Sequence, residues 1–417
     1  HVYVQYKTHK RAQQFHKGIS PRGRFGALRC ALVPQGSLWH NTAMRLFTTL
    51  ALLALLLVSS AAHAADTYMV GFRTLGQWSP DTGLRLDVNV WYPSSRPPRD
   101  LNYAPWEISA SRAGKAVDGR FPLLLLSHDT AGTRFSYHDT AAWLASLGFV
   151  VAAPNHPGDN MDNMDNLLTW QQLENRAHEL SGSIDLLLHD PEVEPSVDAT
   201  RIGVVGFGVG GASALLLGGA LPDCEGWANY CSRTTPTDMY CNPWARERME
   251  ALCKRLPLTH SLADTRIRAI AAVAPGFGML FSRQSFHWFY PPLLLMAAPN
   301  DVLNAPSLHA RRIYELMDKK PRWLSLPQAD TGSLMAPCPE SLALELPELC
   351  RSVSAETRTT IHKRMTEALG DFFLHYLGNA QNLPQIPPPP DLTPQQPKVA
   401  PEPAQQPAQK ARKRRAN

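Results

Sequence analysis

The sequence contains no apolar run long enough to cross a membrane as a helix. Its longest such run, 46–58, covers 13 residues, whereas a transmembrane helix needs about 20. The run follows Met44 closely, and the small residues Ala62 and Ala64 beyond it fit a signal-peptide cleavage site. We therefore expect 44–64 to be a signal peptide and the mature protein to be periplasmic or secreted.

Residues 1–43 precede the first methionine of the sequence. We expect them not to belong to the natural product, so that the folded domain covers 65–380. The alternative interpretation keeps 1–43 as a basic cytoplasmic tail in front of a signal anchor.

The expected domain also lacks an excess of positive charge. The whole chain has a formal net charge of +5, but 1–43 hold seven Lys and Arg and no acidic residue. The C-terminal segment 381–417 holds six basic and two acidic residues, which leaves 65–380 with 27 basic and 34 acidic residues, or −7. Nucleic-acid-binding domains are usually basic. We therefore predict no nucleic-acid partner.

Cysteine is scarce, and no two cysteines form a C-x-x-C pair, which argues against a zinc site. An even number of cysteines in an exported domain indicates disulfides. Their clustering favours one bridge between the last two and two bridges among the first four. We predict disulfides and neither a metal nor a cofactor. The six cysteines of 65–380 are Cys224, Cys231, Cys241, Cys253, Cys338 and Cys350, and the seventh, Cys30, lies in 1–43.

The acidic repeat DNMDNMDN at 159–166 resembles a calcium loop only superficially. Its acids recur every three residues rather than every two, and position twelve from Asp159 is Trp170 instead of Glu. We interpret this segment as a loop.

Short apolar runs alternate with helical stretches through 65–380, which is the order of a doubly wound, mostly parallel α/β sheet. The predicted strands are 84–93, 121–128, 149–156, 201–208, 267–275, 291–301 and 322–329. The predicted helices are 138–147, 171–189, 210–220, 307–318 and 355–377.

Two segments interrupt this pattern. The insertion 221–262 contains four cysteines and four aromatic residues, and we interpret it as a disulfide-tied cap above the carboxyl edge of the sheet. A stapled surface loop without ligand contact is the alternative. The segment 381–417 is rich in proline and ends in basic residues, so we expect it to be disordered. Its basic end is a candidate for contact with an anionic envelope surface.

Glycines follow the predicted strand 201–208 at a strand-to-helix turn, in the sequence IGVVGFGVGG. Gly206, Gly208 and Gly211 satisfy the dinucleotide pattern G-x-G-x-x-G, but no second strand ending in an acid follows about 20 residues later. The other structure with this geometry is the nucleophile elbow G-x-S-x-G. Residues 206–210 fit it everywhere except at the nucleophile, where Gly208 stands.

The chain resembles the α/β-hydrolase superfamily, and more closely the exported bacterial proteins labelled predicted dienelactone hydrolases, which are similar to platelet-activating-factor acetylhydrolases. The resemblance covers about 70–377. It rests on DVNVWYPS, FPLLLLSHD, SLGFVVAAPNHPGDN, ATRIGVVGFGVGGASALLLGGA and APCPESLALELPELC. It implies an α/β-hydrolase fold and hydrolysis of carboxylic esters.

The same resemblance implies that two catalytic residues are replaced. The family's serine nucleophile corresponds to Gly208 and its histidine to Thr331, whereas Asp301 is the candidate acid. The oxyanion-hole region corresponds to His128, Asp129 and Val209, where the family usually has glycine in place of Asp129.

A charged Asp129 about 4 Å from a developing oxyanion would cost up to roughly 4 kcal/mol at an effective dielectric of 20. If Asp129 is protonated, it donates a hydrogen bond instead. The effect of this residue on the site therefore depends on its pKa.

Three functions follow from these residues. The first is an exported protein with a degenerate triad, inactive or weakly active, that binds an ester, lipid or acyl ligand. The second is an active ester hydrolase with a relocated nucleophile. The third is a non-enzymatic envelope interaction protein that uses its cap and its basic tail. The candidates for relocation are Ser127, Ser136, Ser333, His128, His138 and His156.

Overall fold

The computed structural model describes residues 67–78, 83–235, 238–256 and 260–387. The expected signal peptide, the segment before it and the end of the tail beyond 387 lie outside the described residues. Within these ranges, no helix combines the length and the hydropathy that a membrane span requires.

Ten strands form one sheet in the order β10-β9-β8-β7-β5-β6-β2-β1-β4-β3. The six strands from β10 to β6 run parallel to one another, and β2 joins β6 in the antiparallel direction. The strands are β1 (Met69–Trp78), β2 (Arg85–Ser94), β3 (Arg99–Tyr103), β4 (Trp106–Arg112), β5 (Phe121–Ser127), β6 (Val150–Asn155), β7 (Val197–Phe207), β8 (Ile267–Val273), β9 (Leu293–Ala297) and β10 (Arg322–Ser325).

Helices connect the parallel strands and cover both faces of the sheet. One core cluster packs under the helices Trp170–His189 and Val209–Leu217, and a second one packs under the helices His138–Ser146 and Ala355–Leu377. The helices are α1 (His138–Ser146), α2 (Trp170–His189), α3 (Val209–Leu217), α4 (Pro243–Cys253), α5 (Ala310–Leu316), α6 (Thr331–Leu334), α7 (Glu340–Glu345), α8 (Pro347–Cys350) and α9 (Ala355–Leu377). The predicted doubly wound, mostly parallel sheet is confirmed.

The apolar runs form the centre of this sheet because every side chain there is buried on one face or the other. All seven residues of β5 are buried, as are the last six of β7. The two strands pair in parallel, with Leu125 opposite Val204 and Ser127 opposite Gly206. The carboxyl ends of β5 and β7 therefore lie side by side, where ligand sites of such sheets are found.

The structure differs from the predicted elements at the edges. Strands β1, β3 and β4 were not predicted, because their sequences contain no continuous apolar run. Strands β9 and β10 are shorter than 291–301 and 322–329. The short helices α6, α7 and α8 occupy a stretch in which no helix was predicted.

Three disulfides join the six cysteines, Cys224 to Cys253, Cys231 to Cys241 and Cys338 to Cys350. Two lie in the insertion 221–262 and one lies beyond it, as the clustering favoured. Tyr230, Tyr240 and Met249 of the insertion are buried in the core under α2 and α3. The insertion is therefore packed into the body of the domain by apolar burial as well as by disulfides.

Candidate functional site

The turn between β7 and α3 has the backbone of a nucleophile elbow. Gly208 lies between the strand and the helix with φ 54° and ψ −119°, a region in which residues with side chains are strained by about 1–3 kcal/mol. A Cβ at Gly206 would lie 2.0 Å from the carbonyl oxygen of Gly210, so this close approach requires glycine. The glycines thus fix a sharp turn at the carboxyl end of the sheet.

The Asp129 carboxyl group occupies the space above Gly208. A Cβ built at Gly208 would lie 2.0 Å from both Cγ and Oδ1 of Asp129. Asp129 Oδ1 accepts hydrogen bonds from the backbone N–H of Val209 at 2.8 Å and of Thr130 at 2.7 Å. The carboxyl group therefore lies where a nucleophile side chain would stand. It also accepts the hydrogen bond of the N–H of Val209, the residue after the elbow position.

The carbonyl oxygen of Asp129 accepts hydrogen bonds from three donors. The donors are His128 Nδ1 at 2.7 Å, the N–H of Gly132 at 3.0 Å and Arg176 Nη2 at 3.4 Å. His128 Nε2 accepts from the N–H of His156 at 3.2 Å, so the ring proton of a neutral His128 lies on Nδ1. Burial and the charge of Arg176 lower the pKa of His128 well below its usual range. Asp129 is thus positioned by fixed donors.

Burial raises the pKa of Asp129 to about 7. The hydrogen bonds from Val209 and Thr130 and the charge of Arg176 act in the opposite direction, and the nearby charge of Asp301 adds to the increase. A carboxyl group with this pKa changes its charge around neutral pH. The charge that Asp129 contributes to the site therefore depends on pH.

Asp301 follows β9 and is buried beside Thr331. Its Oδ1 accepts from the N–H groups of Leu303 and Asn304, both at 2.9 Å, and from Thr331 Oγ1 at 2.7 Å. Its Oδ2 is buried and has no hydrogen-bond partner among the described residues. Burial raises the pKa of Asp301 against these donors. The structure thus brings together Asp301 and Thr331, the positions that the resemblance assigns to the acid and the histidine.

A second polar array lies beneath Asp129. Ser127 Oγ and His156 Nε2 are 2.8 Å apart, and His156 Nδ1 lies 2.7 Å from Glu179 Oε2. Arg176 Nη1 approaches Ser127 Oγ at 3.3 Å. Because Arg176 only donates, the hydroxyl of Ser127 is free to donate to His156, whose Nδ1–H then faces Glu179. The contacts form a Ser-His-Glu relay.

Solvent does not reach the first two members of this relay, since Ser127 and His156 are fully buried. Burial lowers the pKa of His156 well below its usual range and raises the pKa of Glu179 to about 8. Arg176 is also buried and pairs with Asp159 at 2.6 Å. The relay is therefore part of a buried polar network.

The sequence analysis named Ser127, His128 and His156 but missed Glu179 and Arg176. The available signal was the spacing of Gln172, Arg176 and Glu179, polar residues that share one face of α2 with buried apolar side chains. The remaining relocation candidates have other contacts. Ser136 Oγ accepts from the N–H of Thr133, Ser333 Oγ donates to Asp330 O in the first turn of α6, and His138 packs against Trp106.

Comparison with known proteins identifies the fold. Residues 109–241 match the dienelactone hydrolase family. A solved structure of a ferulic acid esterase from Streptomyces cinnamoneus matches 80% of this chain and 97% of its own, with a TM-score of 0.52 and 19% sequence identity. Residues 109–241 are therefore similar to the dienelactone hydrolase family, and the chain has the α/β-hydrolase fold. The suspected resemblance is confirmed, and the elbow at Gly208 lies within the α/β-hydrolase fold at the strand-to-helix turn where such enzymes carry their nucleophile.

Asp129→Asn should remove a pH-dependent contribution from the free energy of unfolding of this protein. Folding favours the neutral form of Asp129, because its pKa rises from an ordinary 3.8 to about 7. That stabilisation is complete below pH 4 and is lost as the pH rises to about 7, by up to about 4 kcal/mol at 1.36 kcal/mol per pKa unit. Urea unfolding at pH 4.5, 6, 7.5 and 9 measures it.

We expect the unfolding free energy of Asp129→Asn, relative to the unsubstituted protein, to increase from pH 4.5 to 7.5 and to stay level above that. Asn keeps an oxygen that can accept hydrogen bonds from the N–H groups of Val209 and Thr130. The variant therefore keeps both hydrogen bonds and loses only the ionisable group. A difference that does not change with pH would contradict the assigned pKa.

Proposed function

We propose that this chain is an exported α/β-hydrolase-fold protein whose ester-hydrolysing site is degenerate and which binds an ester, lipid or acyl ligand without efficient turnover. The observation that carries the proposal is the Asp129 carboxyl group in the space of the missing nucleophile, within 2.0 Å of a Cβ at Gly208. A side chain at position 208 and the Asp129 carboxyl group in its present place exclude each other.

The loss of turnover has two causes that act on different steps. Removal of a nucleophile or its base costs on the order of a millionfold in turnover, with the remaining rate supplied by binding and the oxyanion hole. Here the oxyanion donor Val209 N–H already holds a carboxylate oxygen, so the second contribution is lost as well. Neither Gly208 nor Thr331 supplies a nucleophile–base pair.

The export part of the proposal is supported by the three disulfides, which are typical of proteins in oxidising compartments. The signal-peptide pattern at 44–64 points to the same compartment.

An acyl ligand can still be recognised when Asp129 is neutral. A protonated carboxyl group donates a hydrogen bond to a carbonyl oxygen, as a buried neutral acid can do in an oxyanion site. With a pKa of about 7 for Asp129, this donor is present in acidic medium and is replaced by a repelling charge above neutral pH. Ester affinity should therefore fall as the pH rises.

We predict that methyl butyrate binds the mature protein at least tenfold more weakly at pH 8.5 than at pH 5.5. Ligand-observed NMR titration measures both dissociation constants. Asp129→Asn is the matched control, because its side-chain amide can donate at both pH values and should make the affinity independent of pH. Equal affinity of the unsubstituted protein at both pH values, or the same decrease in Asp129→Asn, would contradict the role of Asp129 in ligand binding.

Restoration of one residue should not restore activity. Gly208→Ser alone places a Cβ against the Asp129 carboxyl group and leaves the serine without a base, so we expect destabilisation and no hydrolysis of p-nitrophenyl butyrate. Gly208→Ser with Asp129→Gly and Thr331→His recreates nucleophile, oxyanion donor and base, and we expect measurable turnover, because such residues act as a unit.

Gly208→Ala with Asp129→Gly and Thr331→His is the control for this experiment, because it differs only in the nucleophile hydroxyl. Equal hydrolysis by the alanine and serine triple variants would show that the elbow is not the site. Substantial hydrolysis by the unsubstituted protein would refute the degenerate site itself.

The second candidate function is an ester hydrolase with Ser127 as the relocated nucleophile. The relay from Ser127 through His156 to Glu179, with distances of 2.8 and 2.7 Å, favours it. Full burial of Ser127 and the donor from Arg176 oppose it, because a nucleophile must reach its substrate.

A fluorophosphonate probe separates the two functions, because it labels only an activated serine. We expect no labelling of the unsubstituted protein and labelling of the serine triple variant at position 208. Labelling of the unsubstituted protein that disappears in Ser127→Ala would establish the second function in place of the first.

A further inference from the structure

An open cavity of about 460 Å³ lies at the end of the sheet opposite to the elbow. The segments 113–119 and 192–196, which lead into β5 and β7, supply most of its lining. The two parallel strands begin side by side, with Phe121 opposite Val197, so both segments lie at the amino edge of the sheet. The cavity is therefore separate from the candidate site at the carboxyl edge, and its volume is typical of small-molecule sites.

Arg73 of β1 is held at this cavity by the groups around it. Its Nη1 lies 2.6 Å from Glu192 Oε2 and 3.8 Å from Asp190 Oδ1, and its guanidinium lies 5.5 Å from the centre of the Tyr92 ring. Only 15% of the Arg73 side chain is exposed. Because two carboxylates balance this cation, Arg73 forms part of the cavity wall and adds little net positive charge.

Two further cations at the cavity are not balanced in this way. Arg96 is exposed, and only its backbone N–H is hydrogen-bonded, to Ser94 Oγ at 3.2 Å, so within the described ranges its guanidinium has no partner. Lys115 Nζ lies 3.9 Å from Asp118 Oδ1, but 71% and 97% of these side chains are exposed, and ion pairs between exposed residues are weak. Both cations are therefore available to an anionic group, and a guanidinium can hold a carboxylate with two parallel hydrogen bonds.

The rest of the lining is mostly apolar and includes one buried hydroxyl group. Ser196 is 6% exposed, and its Oγ forms no hydrogen bond with the part of the chain that the structure describes. A hydroxyl group can donate to a ligand or accept from it. The cavity thus combines two available cations and one unpartnered hydroxyl with an apolar wall. The apolar side chains of this wall are Ala113, Ala116, Val117 and Pro195.

We propose that this cavity binds a small organic carboxylate, whose acid group pairs with Arg96 and Lys115 and whose apolar body packs against the wall. An inorganic anion would leave the apolar wall without a partner, and a neutral ester would leave both cations unpaired. The proposal does not depend on the function of the elbow, because no residue of the elbow lines the cavity.

Benzoate is the probe for this site, because it has one carboxylate and a flat apolar body. Benzamide has the same shape without the charge, and inorganic phosphate has the charge without the apolar body. Ligand-observed NMR titration of the mature protein at pH 7.5 measures the three dissociation constants. We expect benzoate to bind at least tenfold more tightly than benzamide or phosphate.

Arg96→Gln with Lys115→Gln removes both cations, and we expect the dissociation constant of benzoate to rise at least tenfold. Lys363→Gln with Arg364→Gln is the matched control, because it makes the same change in net charge on exposed residues of α9, outside the cavity. Lys363 also has the same kind of weak ion pair, at 4.0 Å from Glu367. In this control the affinity for benzoate should stay within twofold of the original.

Equal weakening of benzoate binding in the two double variants would overturn the proposal, because it would show only an effect of net charge. Benzamide or phosphate binding as tightly as benzoate would also overturn it, as would the absence of benzoate binding to the unsubstituted protein. Benzoate affinity that changes in Asp129→Asn but not in Arg96→Gln with Lys115→Gln would place the ligand at the elbow and refute the proposed site.

Discussion

The N–H of Val209 points from the first turn of α3 into the space above the elbow, and the Asp129 carboxylate accepts its hydrogen bond at 2.8 Å. In a serine hydrolase such a donor stabilises the charge that develops on the substrate, a contribution worth about 2.7–4 kcal/mol per donor. Here the protein's own side chain is the acceptor. The arrangement of the site follows from this contact, because it fixes where the carboxyl group lies and what the space above Gly208 can hold.

The contact depends on a network that reaches far below the elbow. Arg176 donates to the carbonyl oxygen of His128 at 2.6 Å and pairs with Asp159, so helix α2 is tied to the end of β5. His128 in turn donates to the carbonyl oxygen of Asp129. Buried groups of this kind are stable only when their hydrogen bonds are satisfied. The rigidity of Asp129 is therefore a property of the domain core and not of a surface loop.

Much of the fold and the positions of the site could be predicted from the sequence. Central strands such as β5 and β7 contain continuous apolar runs, and Gly206 and Gly210 stand where a neighbouring backbone approaches too closely for a Cβ. Asp301 could be predicted because an acid lies four residues after the end of the buried strand β9. These signals are local, since each comes from a few neighbouring residues.

The rest could not be predicted because it depends on contacts between distant residues. Glu179 is 23 positions from His156, and only the packing of α2 against β6 brings them within 2.7 Å. Strand β1 contains no continuous apolar run, so its pairing with β2, and not its sequence pattern, makes it a strand. The sequence likewise places Asp129 near the oxyanion region without indicating that its side chain fills the elbow.

Glycine at 208 and aspartate at 129 are physically coupled. With a Cβ at 208, three atoms of the Asp129 carboxyl group would lie 2.0–2.1 Å away, closer than any packed arrangement allows. Conversely, glycine leaves a space that a carboxyl group fills while it satisfies two N–H donors. Because the residues touch, the effects of changing them should not add. The elbow therefore has two mutually exclusive states, a nucleophile with an open oxyanion donor or a glycine with an internal carboxyl ligand, and this sequence specifies the second.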